Sequence, residues 1–136
     1  MKIFIICSKR FYDKIPGMEI ELKGRGHILS MPNCYDDPST EDHYRSLGSK
    51  NHSRWKSEMI KHSLSVVQDN DAVLVLNFDR GDIKNYIGGA TFLEMYDAFR
   101  LGKKIFMYND IPDGILYDEI LGFNPVILNG NLDKIE

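Results

Sequence analysis

Residues 71–109, DAVLVLNFDRGDIKNYIGGATFLEMYDAFRLGKKIFMYN, constrain the fold more than any other part of the chain. The run 72–76 is short, apolar and rich in β-branched residues, the pattern of a strand buried on both faces. Gly88 and Gly89 then open a stretch in which Phe92, Met95 and Phe99 recur at helical spacing, and Gly102 is placed to stop it. Residues 104–108 (KIFMY) read as the next strand. Strand, helix and strand in this order imply parallel pairing through a right-handed crossover.

The same alternation extends to both sides. Residues 2–7 (KIFIIC) predict a first strand, 8–16 the loop at its carboxyl end, and 18–23 a short helix stopped by Gly24 and Gly26. Residues 27–31 (HILSM) predict a second strand ended by Pro32 and Asn33. A helix is expected from Arg54 to about Gln68, with Ser53 as N-cap and Trp55, Met59 and Val66 or Val67 on one face. A short helix around 117–121 and a strand at 125–128 (PVIL) complete the pattern. Between them, residues 34–53 (CYDDPSTEDHYRSLGSKNHS) are polar and long for a connection, and are expected to form a lid, a binding loop or a disordered segment. The prediction is an α/β, flavodoxin-like three-layer fold of Rossmann-like type. Its five-stranded, mostly parallel sheet has the order 2-1-3-4-5. The 136 residues suit one domain spanning 1–136.

Charge and cysteine usage narrow the function classes. A net charge of −3 supplies no basic field for a nucleic acid polymer, although backbone amides can still hold a small anion. Cys7 and Cys34 lack disulfide or zinc spacing, so a reducing, cytoplasmic setting is expected. The apolar part of MKIFIICSKRF is too short for a signal peptide, and no run approaches the ~20 residues that span a bilayer, so no membrane partner is expected. The glycosylation acceptor pattern at Asn51-His52-Ser53 is taken as chance. His43, His52 and His62 do not share metal-ligand spacing, and no metal is expected.

The carboxyl ends of parallel strands are where open α/β sheets bind ligands. The first such end carries Ser8, Lys9, Arg10 and Tyr12: a hydroxyl and two cations suited to an anion, and a ring suited to positioning. The alternative is an ordinary charged surface loop. Cys7, ending an apolar run, reads as a buried, unreactive thiol. Trp55, Tyr35 and Tyr44 could line a pocket for a base or pack within the core or lid. Gly88 and Gly89 let a ligand approach the backbone at a helix N-terminus, or simply let strand and helix pack tightly. Glu94 has two readings. Thr91-Phe92-Leu93-Glu94 fits a capping box, with Thr91 as N-cap and Glu94 bonding back to its amide. A helix that begins near Gly88 or Gly89 would instead let Glu94 project from the first turn into the cleft. There the positive helix end would favour its ionised form as a nucleophile toward a glycosidic carbon.

The segments DAVLVLN and GGATFLEMYDAFRLGKKIFMYN, a strand led by Asp, a Gly-x-x-x-Glu-type helix start and a Gly-Lys-x-aliphatic strand, resemble the core of the nucleoside 2-deoxyribosyltransferase-like superfamily. The resemblance covers residues 54–109 and extends to the first strand. It implies a flavodoxin-like fold and an enzyme that breaks or transfers the N-glycosidic bond of a (deoxy)nucleoside or its 5′-monophosphate. Glu94 would be the catalytic nucleophile attacking C1′. It also implies that Ser8 and Tyr12 hold the sugar or phosphate and that Gly88 and Gly89 line the site. Asp79 or Asp82 would bind sugar hydroxyls. No cofactor is implied; the partner is a small-molecule nucleoside or nucleotide, and a homo-oligomer completes each site. The family's base-handling aspartate falls near Ser63, a departure that admits altered base handling, a hydrolase or loss of activity. His62 is adjacent and Glu58 lies one turn back. The alternative is a non-catalytic nucleotide or nucleotide-sugar sensor on the same fold. An FMN-binding protein ranks last, because the first loop lacks a Ser/Thr-rich phosphate loop.

Overall fold

The computed structural model describes all of residues 1–136. Its sheet has five strands: β1 (Lys2–Ile6), β2 (Ile28–Ser30), β3 (Ala72–Val75), β4 (Lys104–Met107) and β5 (Val126–Ile127). They lie in the order β2-β1-β3-β4-β5, and every neighbouring pair is parallel. The expected order is the observed one, and the sheet is parallel throughout. Helices α1 (Ile15–Gly24), α2 (Thr40–Ser46), α3 (Ser49–Asp69), α4 (Gly89–Arg100) and α5 (Tyr117–Gly122) connect the strands. None is long and apolar enough to cross a membrane.

The strands β1, β3 and β4 are apolar without interruption because the sheet is covered on both sides. Successive side chains alternate between faces. Ile3, Ile5, Leu74 and Phe106 pack with Ile15 and Leu22 near α1 and with the C-terminal Leu132 and Ile135. Phe4, Ile6, Val73, Val75, Ile105 and Met107 take the other face, against Val67 of α3, Met95 and Ala98 of α4, and Ile120 of α5. Ile3 stands opposite Ala72, and Val75 opposite Met107. A slip of one residue would turn both sets to the wrong face, so this burial fixes the register. Met95, fully buried, anchors α4 beneath the site; truncating it to Ala would cost about 2–5 kcal/mol.

Three segments differ from expectation. A short 3₁₀ helix (Lys9–Lys14) replaces the loop after β1 and runs directly into α1, which is longer than residues 18–23. Residues 34–53 are not a long loop but contain α2 and the start of α3. Their polar residues form a helical ion-pair network instead. Glu41 and Asp42 sit in the first turn of α2, where acids are favoured, and Arg45 lies within 3.4 Å of Glu41 and 3.1 Å of Asp42. Ser53 is therefore inside α3 and is not its cap. That position belongs to Gly48, whose φ of 107° is one that glycine tolerates.

The third difference is the start of α4. Its N-cap is Gly88, so Thr91 is the third helical residue and lies buried. The capping box is thereby excluded: Thr91 is not in cap geometry, and Glu94 falls at the sixth helical position rather than the third or the first turn. Gly88 sits close to Tyr86: an added Cβ would stand 3.3 Å from its hydroxyl, which would have to give slightly. Gly89 has no neighbour within 4 Å of such a Cβ.

Candidate active site

A cavity of about 300 Å³ opens at the carboxyl edge of the sheet, at the lower end of the range for small-molecule sites. Five pieces of chain wall it: the end of β1 and the turn after it (Cys7, Ser8, Tyr12), the turn after β2 (Pro32 to Cys34), Pro38 and Glu41 at the start of α2, the inner face of α3 (Trp55, Lys56, Met59, Ser63) and one face of α4 (Gly88, Gly89, Glu94 and Asp97 among them). Parallel topology explains the convergence, because each strand delivers its following loop to the same edge.

Glu94 sits on the wall of this cavity, on the face of α4 turned toward α3. Its carboxylate is raised to about 7. Burial is the largest cause; the Ser63 hydroxyl, hydrogen-bonded to it, and the charge of Lys56 pull the other way, while Asp97 adds to the rise. The expectation that the helix N-terminus would hold Glu94 ionised is corrected. Glu94 lies beyond the first turn, where the dipole effect has faded, and desolvation wins.

Ser63 is nearly fully buried and occupies the position where an aspartate was expected. The Asn33 side-chain amide donates to Ser63 Oγ at 2.7 Å and reaches the Met59 carbonyl at 3.4 Å. The Tyr12 hydroxyl in turn donates to the Asn33 carbonyl at 3.1 Å. Tyr12, Asn33, Ser63 and Glu94 thus form one chain of polar contacts through four elements. Only its ends were singled out for function from the sequence. Asn33 carried no signal beyond following Pro32, since its partner Ser63 lies 30 residues away.

Around this chain the other groups are chemically committed. Glu41 of α2 accepts from His52 Nε2 and Lys56 Nζ, both at 2.9 Å. Burial works to raise its pKa, and the bonds from His52 and Lys56 outweigh that, holding it below the usual range. Trp55 stacks between Tyr44 and His52, with ring centroids 5.8 Å and 6.2 Å away, and pins α2 to α3. Trp55 reaches the cavity; Tyr35 and Tyr44 do not line it. The Cys7 thiol is pushed up to about 12 by burial and by the nearby Glu94 charge, and so stays neutral.

Of the residues singled out in the sequence, Glu94, Ser8, Tyr12, Gly88 and Gly89 are brought together at this cavity. Ser8 also caps the 3₁₀ helix, accepting from the Arg10 amide at 3.4 Å. Asp79 and Asp82 are not brought there. The loop after β3 folds back on itself, with the Tyr86 amide donating to the Phe78 carbonyl at 2.8 Å. Asp79 accepts from the Asn85 amide at 3.0 Å and from Lys84 at 2.9 Å, which closes the loop away from Glu94. Asp79 lines a separate, open basin with Arg10, Lys14, Arg80 and Lys84, and Asp82 is exposed. No three His, Cys, Asp or Glu side chains gather in a metal-binding group.

No family model and no curated protein matches the sequence. Among solved structures, the chain resembles a 2-deoxyribosyltransferase of the psychrotolerant bacterium Bacillus psychrosaccharolyticus, with a TM-score of 0.56 and 17% identity. The likeness covers 79% of this chain and 72% of that one. At this identity the shared property is the fold.

Proposed function

We propose that this protein cleaves or transfers the N-glycosidic bond of a (deoxy)nucleoside or nucleoside 5′-monophosphate, with Glu94 as nucleophile. The observation that carries the reading is a carboxylate beside a buried hydroxyl on the wall of a cavity that opens at the carboxyl edge of the sheet. A desolvated carboxylate is a strong nucleophile once ionised. Attack on C1′ would expel the base and leave a glycosyl ester on Glu94, which water or a second base would release. Ser63 would hold the attacking group in one orientation, and Ser8, Tyr12 and the Gly88-Gly89 backbone would contact the sugar or phosphate. The fold shared with a 2-deoxyribosyltransferase supports the same class of chemistry.

A sensor on this fold is the second reading. It is favoured by the burial that raises the Glu94 pKa to about 7, so that near neutrality a sizeable share of the carboxyl is protonated, a form that can donate a hydrogen bond to a ligand. Chromatographic detection of free base decides between the two. Wild type and Glu94→Gln would be incubated with ribo- and deoxyribonucleosides and their 5′-monophosphates, with and without a second base. Base release by wild type alone supports the enzyme. Ligand binding by both proteins without release supports the sensor.

The homo-oligomer expected from the resemblance would use the face beside the cavity mouth. Ile60 and Leu64 of α3 and Leu93 and Tyr96 of α4 are each about two-fifths exposed, and Ile60 and Leu93 also line the cavity.

A further inference from the structure

Breaking an N-glycosidic bond requires a proton for most departing bases, and the cavity offers few donors. Three carboxylates line it: Glu41, Glu94 and Asp97. Glu41 is held ionised by His52 and Lys56. The Tyr12 hydroxyl already donates to the Asn33 carbonyl, and burial pushes its pKa up further. Cys7 stays a neutral thiol. Asp79 and Asp82 lie outside the cavity. Asp97 remains. It lies three residues beyond Glu94 on α4, and residues so spaced on a helix have Cβ atoms about 5–6 Å apart. Retaining glycosidases likewise use two carboxyl groups, one as nucleophile and one as acid. The nearest cation in sequence, Arg100, is drawn over the Tyr96 ring, 5.6 Å from its centroid.

We infer that Asp97 is the acid that protonates the departing base, paired with Glu94 on one helix face; this rests on the N-glycosidic reading of the cavity. Burial favours the protonated form of Asp97, against the weaker pull of Arg100. The Asp97 charge raises the Glu94 pKa, so an ionised Glu94 is favoured while Asp97 keeps its proton. While they share one proton, the productive form carries it on Asp97. A Glu94 oxygen then bonds to C1′ as the C1′–N bond breaks. The bonding electrons pass to the base nitrogen and the Asp97 proton to the base. In the second step water attacks C1′ and gives its proton to Asp97, and the ester electrons return to Glu94, restoring both groups.

The test compares wild type, Asp97→Asn and Asp97→Glu on two substrates of whichever sugar class wild type accepts. One is an adenine nucleoside, whose base needs a proton to leave. The other is an N7-methylated guanine nucleoside, whose cationic base departs uncharged without one. Asp97→Asn is expected to lose at least about 100-fold in kcat/KM on the first and under about fivefold on the second. Retained activity on the second shows that the variant is folded, and Asp97→Glu should recover part of the loss on the first. Equal losses on both substrates would overturn the role of Asp97 and leave the N-glycosidic reading standing. Wild type that releases no base from either would overturn both.

Discussion

Asn33 Nδ2 donates to Ser63 Oγ at 2.7 Å, which uses a lone pair of that hydroxyl and leaves its proton free for Glu94. A turn after β2 thus sets the direction of a hydrogen bond between α3 and α4. Ser63→Ala removes the bond that favours the Glu94 carboxylate and strands the Asn33 amide on its longer contact to Met59. The acidic limb of kcat/KM against pH should move upward from about 7 in this variant. Unfolding stability should fall by about 1–3 kcal/mol, the cost of a buried, poorly satisfied donor. Denaturant melts and a pH–rate profile check the two effects separately.

Glu94 should weaken the fold near neutral pH. Its pKa is about 7 in the folded chain against an ordinary 4.5, so between these values the folded state binds more protons than the unfolded one. Stability is then highest below pH 4.5 as far as this group is concerned, and declines as pH rises through 7. The full difference is worth up to about 3 kcal/mol, at 1.36 kcal/mol per pKa unit. Glu94→Gln removes it. The variant should be about 1–3 kcal/mol more stable than wild type at pH 8 and gain little at pH 4.5. Equal gains at both pH values would show that Glu94 is not desolvated as described. The charges that face Glu94 and shape this dependence are Lys56 from α3 and Asp97 from α4; the Cys7 thiol at the end of β1 and the Tyr12 hydroxyl stay neutral.

Gly88 and Gly89 should respond differently to alanine. At Gly88 the new methyl meets the Tyr86 hydroxyl, which itself accepts from Arg80 at 3.0 Å, so stability should fall by about 1 kcal/mol or more. At Gly89 the space is open and the residue is helical, so alanine should leave the fold unchanged or stabilise it by about 0.4–1 kcal/mol. A loss of turnover in Gly89→Ala without a loss of stability would place a ligand against that backbone.

Asn77 is fully buried just past β3. Its amide donates to the carbonyls of Asn109 and Asp110, and its carbonyl accepts from the Asn109 amide. Asn77→Ala should cost about 2–4 kcal/mol, because several backbone groups lose their partner at once. Thermal unfolding measures it, and no change in Tm would mean that water replaces the side chain.

If the protein self-associates through the α3–α4 face, Leu64→Glu should shift sedimentation toward the monomer while leaving the fold intact. Leu64 is exposed and lies outside the cavity lining. Unchanged sedimentation of an oligomer would move the interface elsewhere.

The sequence by itself determined the sheet. Uninterrupted apolar runs such as 72–76 can satisfy their backbone and bury both faces only as inner strands of a covered parallel sheet, and glycines mark where helices start and stop. It also placed Ser8, Tyr12 and Glu94 at the carboxyl edge of the sheet, because parallel topology sends the loops and helix starts that follow strands there. It misread segments where local pattern and tertiary context compete. The capping-box spacing at Thr91 gave way to a helix that starts at Gly89, and within the polar run 34–53 residues 40–46 and 49–53 are helical, with charges paired across α2 and α3. Only the tertiary structure decided which polar groups meet. Asn33 and Ser63, 30 residues apart, and Glu94 on a later helix share one chain of contacts, while Asp79 and Asp82, near in sequence, turn away. Hydrophobic periodicity fixes which face a residue occupies, but not which side chain stands opposite it. That depends on how far each loop folds back, and loop geometry is set by individual hydrogen bonds rather than by pattern.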